Sequence, residues 1–314
     1  MKDNKPRICV VGSFVIDLVF KVDHRPGPGE TMLARDFGMF LGGKGFNQAI
    51  AARRLGADVS MVGRLGNDAF GDMFMAKLEQ EGMDSSHVTR DPEAGTAIAS
   101  PIIDASGENS IIAAPRANMR VTPDDVIAAE EQIAAADVLM LQFEIPPAAS
   151  RRAAEVARKR DTLVLLDPAP VEHGFERFNA PIDYIVPNEI EAHMLTWKMT
   201  PEEAAAVLLP ETRQGVVISL GEQGAMAVAR AALLRFPAHK VNVVDTTGAG
   251  DAFRAGLAIK IAEGSSLDEA VRFANACGAL ACTIMGAEPS MPRLDAVEQM
   301  LKRDSLSLEG RGSG

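Results

Sequence analysis

Apolar residues fall in two rhythms along this chain. Short unbroken runs alternate with longer segments in which apolar positions recur every three or four residues. The first rhythm predicts buried strands and the second predicts helices. Ile8-Cys9-Val10-Val11-Gly12 is an apolar run closed by glycine, the composition of a buried parallel strand. Asn47 to Gly56 predicts a helix, Val59 to Val62 a strand, and Ala69 to Glu81 a helix ending at Gly82. From Val138 the exchange is regular. Strand Val138–Leu141, helix Ala148–Arg160, strand Leu163–Asp167, strand Tyr184–Val186, helix Glu189–Thr196, helix Pro201–Leu208 and strand Val216–Ser219 follow in order. Such alternation predicts an α/β fold, with a mostly parallel sheet and helices on both faces.

Two stretches break the rhythm. Residues 14–41 and 96–115 carry β-type alternation with turns (Pro26-Gly27-Pro28-Gly29; Ser106-Gly107-Glu108-Asn109) and no helical segment. They cannot be crossovers of the main sheet. They predict a small antiparallel sheet projecting from it, a natural lid able to exclude water from a site. Ser305 to Gly314 is Gly/Ser-rich and is expected to be disordered, which leaves residues 1–304 as a single domain.

The densest chemistry lies in Asp245-Thr246-Thr247-Gly248-Ala249-Gly250-Asp251-Ala252-Phe253. This segment follows a β-branched stretch (Val241, Val243, Val244) expected to be a strand. It leads into a helix with Phe253, Leu257 and Ile261 on one stripe and Arg254 and Lys260 off it. Backbone N–H groups at a helix start lack partners inside the helix, and the dipole there favours negative charge. Gly248 and Gly250 let the main chain approach an anion closely. Asp251 would sit beside that cradle, placed to take a proton from an attacking nucleophile. A plain glycine loop with a dipole-compensating aspartate fits the spacing too.

Two familiar phosphate motifs are nearly present and both fail. Gly38-Met39-Phe40-Leu41-Gly42-Gly43-Lys44-Gly45 has the Walker A spacing, but Gly45 lacks the hydroxyl that would hold magnesium. Gly248-Ala249-Gly250 begins a dinucleotide fingerprint, but Phe253 occupies its third glycine position. Gly42 to Asn47 remains informative. Its glycines open the backbone to a ligand, and Lys44 and Asn47 supply donors suited to a hydroxyl-rich or phosphorylated molecule. A glycine turn with Asn47 as an N-cap is the simpler account. Ligands of open α/β sheets bind outside the carboxyl ends of the strands. Asp17, Glu144, Asn188 and Glu191 follow predicted strands, and Asp167 and Ser219-Leu220-Gly221 end them.

Composition narrows the class. The chain has 314 residues, 47% hydrophobic and 24% charged, enough for a core without disulfide or metal staples. A net charge of −11 and the lack of a basic run argue against nucleic acid as partner. Cys9, Cys277 and Cys282 show no metal-ligand spacing and read as small core residues, with a reducing, cytoplasmic home expected. No signal peptide, membrane span or membrane partner is expected.

Asp245 to Asp251 resembles the C-terminal signature of the ribokinase (phosphofructokinase-B) family of carbohydrate kinases. Gly42-Gly43-Lys44-Gly45-Phe46-Asn47-Gln48-Ala49 resembles its N-terminal signature. Pro28-Gly29-Glu30-Thr31, Asp167-Pro168-Ala169-Pro170, Pro187-Asn188-Glu189-Ile190-Glu191-Ala192 and Gly286-Ala287-Glu288-Pro289-Ser290 resemble family segments in the family order. The resemblance implies a three-layer αβα sandwich with a mostly parallel sheet and a β lid. It implies transfer of the γ-phosphoryl group of ATP to a hydroxymethyl group of a small sugar, ribose the leading choice. Asp251 would be the base, and Gly248, Ala249 and Gly250 the anion hole. Asp17, Gly42, Gly43, Lys44, Asn47 and Glu144 would hold the sugar. Asn188 and Glu191 would lie near the phosphates, Glu191 fixing Mg2+ through water. Ser219, Gly221, Gly224 and Asn275 would line the nucleotide site. Carbonyls of Asp245, Thr247, Ala281, Ile284 and Gly286, with the Ser290 hydroxyl, resemble a K+ site. A homodimer through the lid is implied as well.

Three positions depart from the family pattern. Val15 in Gly12-Ser13-Phe14-Val15-Ile16-Asp17 stands where ribokinases usually carry an Asn that contacts ribose. Arg254 stands where Asn is frequent, and Arg116 interrupts a usual Gly-Ala-Asn stretch and could reach into the cleft or lie in solvent. A nucleoside kinase, with Phe14, Val15 and Ile16 flanking a base, is the alternative enzyme. A non-catalytic sugar or nucleotide sensor is the alternative from another class.

Overall fold

A computed structural model describes residues 5–171, 178–229 and 232–309. Its strands are β1 (Arg7–Val11), β2 (Val15–Lys21), β3 (Asp36–Gly42), β4 (Asp58–Gly66), β5 (Asp84–Asp91), β6 (Ala97–Ile103), β7 (Asn109–Ala114), β8 (Val138–Leu141), β9 (Leu163–Leu166), β10 (Ile182–Ile185), β11 (Thr212–Ser219), β12 (Ala225–Ala229) and β13 (Ala232–Phe236). The helices are α1 (Lys44–Arg54), α2 (Ala69–Gln80), α3 (Pro123–Ala128), α4 (Glu130–Ala135), α5 (Pro147–Lys159), α6 (Glu189–Thr196), α7 (Pro201–Leu208), α8 (Ala249–Ala262), α9 (Leu267–Ala281), α10 (Ala287–Ser290) and α11 (Leu294–Glu309).

Nine strands form the central sheet in the order β13-β12-β11-β10-β9-β8-β1-β4-β5. Every pair from β11 to β5 is parallel, and only β12 and β13 run antiparallel to their neighbours. Both faces are buried, and the two-residue period of a strand assigns side chains to each. Along β1, Ile8 and Val10 enter one core while Cys9 and Val11 enter the other. On β8, Met140 and Leu141 divide the same way. The first core is closed by α1, α2, α8 and α9 through Phe46, Ile50, Phe74, Leu257 and Phe273. Phe46 and Phe74 meet edge to face with ring centroids 4.8 Å apart. The second core is closed by α3, α4, α5 and α7 through Val126, Ile133, Val156 and Leu208. The result is the expected three-layer sandwich.

The lid is a separate four-stranded sheet in the order β3-β2-β6-β7. It is not wholly antiparallel as expected. β2 pairs with β3, and β6 with β7, in antiparallel fashion, but the central pair β2–β6 is parallel. The chain between those two hairpins passes through α1, β4, α2 and β5, so no tight turn links β2 to β6 and nothing obliges them to run in opposite directions.

The segment before Asp245 is also not a strand. β13 ends at Phe236, and Val243 and Val244 are 64% and 56% exposed. The backbone N–H of Val244 donates to the Cys282 carbonyl at 2.8 Å instead of entering a sheet. Asn275 Nδ2 reaches the Pro237 carbonyl at 3.3 Å, tying the other end of this loop to α9. β-branched composition reports strand preference but not whether a sheet edge is available. At the C-terminal end, residues 305–309 continue α11 rather than being disordered, and 310–314 lie outside the described residues. Cys9 and Cys277 are buried as expected; Cys282 follows the last turn of α9 and is half-buried.

Candidate active site

The carboxyl ends of β1, β8, β9, β10 and β11 open toward one rim of the sheet. There the N-termini of α1 and α8 meet under the lid. The loop Gly42–Gly43 brings the chain from β3 into α1, with Gly43 at φ 95° as the N-cap. A Cβ at Gly43 would lie 2.8 Å from the Val15 nitrogen, so both space and backbone angle demand glycine. Gly43 carries no side chain to cap the helix. Glu144 takes that role from another element: its Oε2 accepts the Lys44 N–H at 2.8 Å and the Ser13 hydroxyl. Ser13 Oγ in turn accepts the Gly45 N–H at 3.2 Å. A lone serine after a strand carries no spacing signal, so nothing in the sequence singles out Ser13.

Asp17 lies on β2, its carboxylate against Gly42, where a Cβ would strike Oδ2. Burial, then the charges of Glu144 and Asp251, push the Asp17 carboxyl up to about 7. Lys44 Nζ stands 3.6 Å from Asp167 Oδ2. Burial alone would lower its ammonium, but Asp167, Asp251 and Glu144 outweigh that and raise it. Lys44 therefore stays charged inside a largely acidic site.

Asp251 sits in the first turn of α8, 6% exposed. Asn47 Nδ2 donates to its Oδ2 and Gln48 Nε2 to its Oδ1, each at 3.0 Å. Burial raises its proton affinity; Lys44, Asn47, Arg254 and Gln48 oppose the shift without cancelling it. Gly248 is the N-cap of α8 at φ 80°, and a Cβ there would lie 2.6 Å from Met291 Cε. The Ala249 N–H already donates to the Thr246 carbonyl at 3.2 Å. At Gly250 the missing Cβ leaves room for a guanidinium: Arg254 Nη1 would be 2.5 Å from it.

Arg254 is the largest departure from the sequence reading. It lies off the apolar stripe of its helix, yet it is only 3% exposed. Its Nε donates to the Val186 carbonyl at 2.9 Å, and its Nη2 lies 3.0 Å from Asp167 Oδ1 and 2.9 Å from Glu191 Oε2. Periodicity does not reveal this, because the buried partners of the guanidinium come from the ends of β9 and β10, far away in sequence. Arg116 is anchored beside the lid. Its Nη1 donates to the Thr96 carbonyl at 3.1 Å and its guanidinium packs over Gly95. Asn118 is the Asn of the stretch that Arg116 interrupts. It brackets Phe14, donating to its carbonyl at 2.9 Å and accepting its N–H at 3.1 Å.

On the other side of Asp251, Asn188 and Glu191 form a capping box at the start of α6 (2.7 and 2.8 Å). Asn188 also bridges to Ser219 at the end of β11. Gly221, at φ 56°, has nothing within 4 Å of its Cβ position, whereas Gly224, at φ 93°, abuts the Ala238 nitrogen at 2.6 Å. Asp245 gathers a further loop. Its Oδ2 accepts the Gly286 N–H at 2.8 Å, and its Oδ1 accepts the Thr247 N–H at 3.0 Å and hydroxyl at 2.7 Å. Burial alone would raise this carboxyl, but those bonds hold it below the usual range. Segments 245–247 and 281–290 are thereby brought together. The Ser290 hydroxyl donates to the Ala287 carbonyl at 2.8 Å.

The geometry thus offers a buried carboxylate at a helix N-terminus, a charged lysine and a further carboxylate, Asp17, on the lid side. The profile of the pfkB family carbohydrate kinases matches residues 5–294. A ribokinase of Bacillus subtilis is 38% identical over 301 residues, covering 94% of this chain and 99% of the relative. A deoxyribokinase of Salmonella typhi is 31% identical over 300 residues, covering 94% and 98%. Among solved structures, Arabidopsis thaliana ribokinase complexed with ribose and ATP superposes with a TM-score of 0.88 at 32% identity, covering 95% of this chain and 99% of that one. The chain belongs to the pfkB family of carbohydrate kinases and is an ATP-dependent sugar kinase.

Proposed function

We propose that this pfkB-family chain phosphorylates a hydroxymethyl group of a free pentose, with ribose as the leading substrate. Asp251 carries the reading: it is the one buried carboxylate at the start of α8, beside a glycine-lined helix N-terminus and within reach of the lid. In this account Asp251 takes the proton of the sugar hydroxyl as the oxygen bonds to the γ-phosphorus and ADP departs. A carboxylate is a weak base for a free alcohol, so the proton moves late, once the oxygen is bonding to phosphorus. The rest of the work is positioning and charge stabilisation. Gly248, Ala249 and Gly250 would face the transferring phosphoryl. The Ala249 N–H must then leave the Thr246 carbonyl or share itself with it.

Asp17, Lys44, Asn47, Gly42 and Gly43 would hold the sugar, with Glu144 acting through the α1 N-terminus it caps. Asn188, Ser219, Gly221, Gly224 and Asn275 would border the nucleotide. Among the described residues no group of three His, Cys, Asp or Glu side chains could hold a metal ion. Mg2+ would therefore arrive with the phosphates of ATP. Glu191 would meet it through water with Oε1, since Arg254 and the Asn188 N–H both use Oε2. Carbonyls of Asp245, Thr247, Ala281, Ile284 and Gly286 with the Ser290 hydroxyl are neutral hard oxygens, a donor set that fits K+ better than a transition metal. Such an ion would order the start of α8.

Further features belong to the same proposal. The nucleoside reading is the less supported of the two, because Phe14 and Ile16 are fully buried and leave only the partly buried Val15 to meet a base. A sensor would need no buried base. Two free cysteines in the core and a need for ATP fit a cytoplasmic enzyme. No helix of the described residues is long and apolar enough to cross a membrane. The outer lid strands β3 and β7 carry Phe37, Ile111 and Ile112 at 53%, 58% and 70% exposure, a fitting edge for a homodimer. Residues 1–304 would act as one domain under that lid.

Three outcomes are expected. ATP consumption screened over ribose, deoxyribose, fructose and nucleosides, with and without K+, should be fastest with a pentose; turnover on none would return weight to a sensor. The pH dependence of kcat/KM for the sugar should follow Asp17. Its carboxyl sits near 7 in the free protein and must be ionised to accept sugar hydroxyls, so kcat/KM should fall about tenfold per pH unit below that point. A plateau extending down to pH 5 would contradict this role. Light scattering at micromolar concentration should show a dimer, and a monomer would remove that part.

A further inference from the structure

Beneath the base lies a buried polar chain that none of the roles above uses. Gln48 is fully buried, one position after Asn47 on α1. Its Nε2 donates to two carboxylates at once, Asp251 Oδ1 at 3.0 Å and Asp167 Oδ2 at 2.9 Å. Its Oε1 accepts Gln142 Nε2 at 2.7 Å. The amide orientation is therefore fixed from both ends: the two protons of Nε2 face acids, and the carbonyl faces a donor. Gln142 is itself fully buried at the end of β8. Turning its amide would set two carbonyl oxygens against each other. Asp167, also fully buried, meets the Arg254 guanidinium at 3.0 Å on its far oxygen.

We propose that Gln48 is a positioning residue for the base: its amide joins Asp251 to Asp167, and Arg254 anchors Asp167 from the other side. The chain Gln142–Gln48–Asp251 fixes where the Oδ1 lone pairs point. Asn47 holds the other oxygen, Oδ2, so the carboxylate is gripped at both ends. A hydrogen bond to the ionised form favours that form, so the relay opposes the rise in proton affinity that burial imposes on Asp251.

The charged groups around Asp251 are Lys44 on α1, Asp17 on β2, Asp167 beyond β9 and Arg254 on its own helix. Glu144 beyond β8 and Glu191 on α6 lie one link further out, against Lys44 and Arg254. The acids outnumber the two cations. Gln48 is the neutral donor that lets two of the acids lie close together without sharing a proton. This inference rests on Asp251 as the base, and the test separates the two claims.

The test is a 13C NMR titration of the aspartate carboxyls in the full chain, with the Asp251 signal assigned by its loss in Asp251→Asn. Gln48→Met keeps the length and removes the donor. The Asp251 titration should move up by about one pH unit, a tenfold rise in proton affinity. With sugar and ATP, kcat should fall at least about tenfold and its acid limb should move up by the same amount, while KM for the sugar changes by less than about threefold. If Gln48→Met does not fold, Gln142→Met frees only the orienting end and should shift Asp251 in the same direction by less. An Asp251 signal that titrates as in the unaltered protein, in whichever variant folds, overturns the relay. Failure of the kinase reading shows separately, as no ATP consumption by the unaltered protein, and leaves the titration readable.

Discussion

A carboxylate that is to act as a base under a closed lid must be buried and must stay charged. Those two demands conflict, because burial favours the neutral acid. Much of the arrangement around Asp251 answers that conflict. The carboxylate sits in the first turn of α8, where the helix dipole favours negative charge. Amide groups of Asn47 and Gln48 occupy one position on each oxygen. Lys44 and Arg254 supply fixed positive charge nearby. Breaking a buried ion pair by removing one partner typically costs about 3–5 kcal/mol, so Arg254, bridging Asp167 and Glu191, is as much a structural tie as an electrostatic one.

The same constraint explains where the chain has no side chains. Gly43 makes the turn that delivers Lys44, Asn47 and Gln48 to Asp251. Gly45 lies so close to Gly12 that a Cβ would come within 2.8 Å of its Cα, which presses the start of α1 onto the end of β1. Gly250 opens the space that the Arg254 guanidinium fills. The family often carries Asn at position 254. A guanidinium there reaches two carboxylates at once, a span outside the range of the shorter amide.

Much of this is legible in the sequence, for definable reasons. Strand Val138–Leu141 and helices Glu189–Thr196 and Pro201–Leu208 coincide with the expectation, because apolar period and capping residues agree there. The two lid segments are legible as breaks in the α/β rhythm. The parallel pairing of β2 with β6 is not, since it depends on how two distant hairpins dock. Val241–Val244 misleads because an exposed β-branched loop and a buried strand share a composition. Glu144 stands out as a strand-end acid, but its capping of α1 spans a hundred positions. The contacts of Gln48 and Arg254 are hidden for the same reason: their partners lie beyond β8, β9 and β10, and their polarity reads as surface until the fold brings buried partners to them.

The most direct test of this account is Asp251→Asn, measured for binding and turnover together. Calorimetry should show sugar and ATP affinities within about threefold of the unaltered protein, because Asp17, Lys44 and the glycine loops remain. Single-turnover phosphoryl transfer should fall by at least about a hundredfold, the order expected for losing a general base. Near-normal transfer with Asn at position 251 would contradict the assignment of the base, and with it the catalytic purpose of the buried network around it.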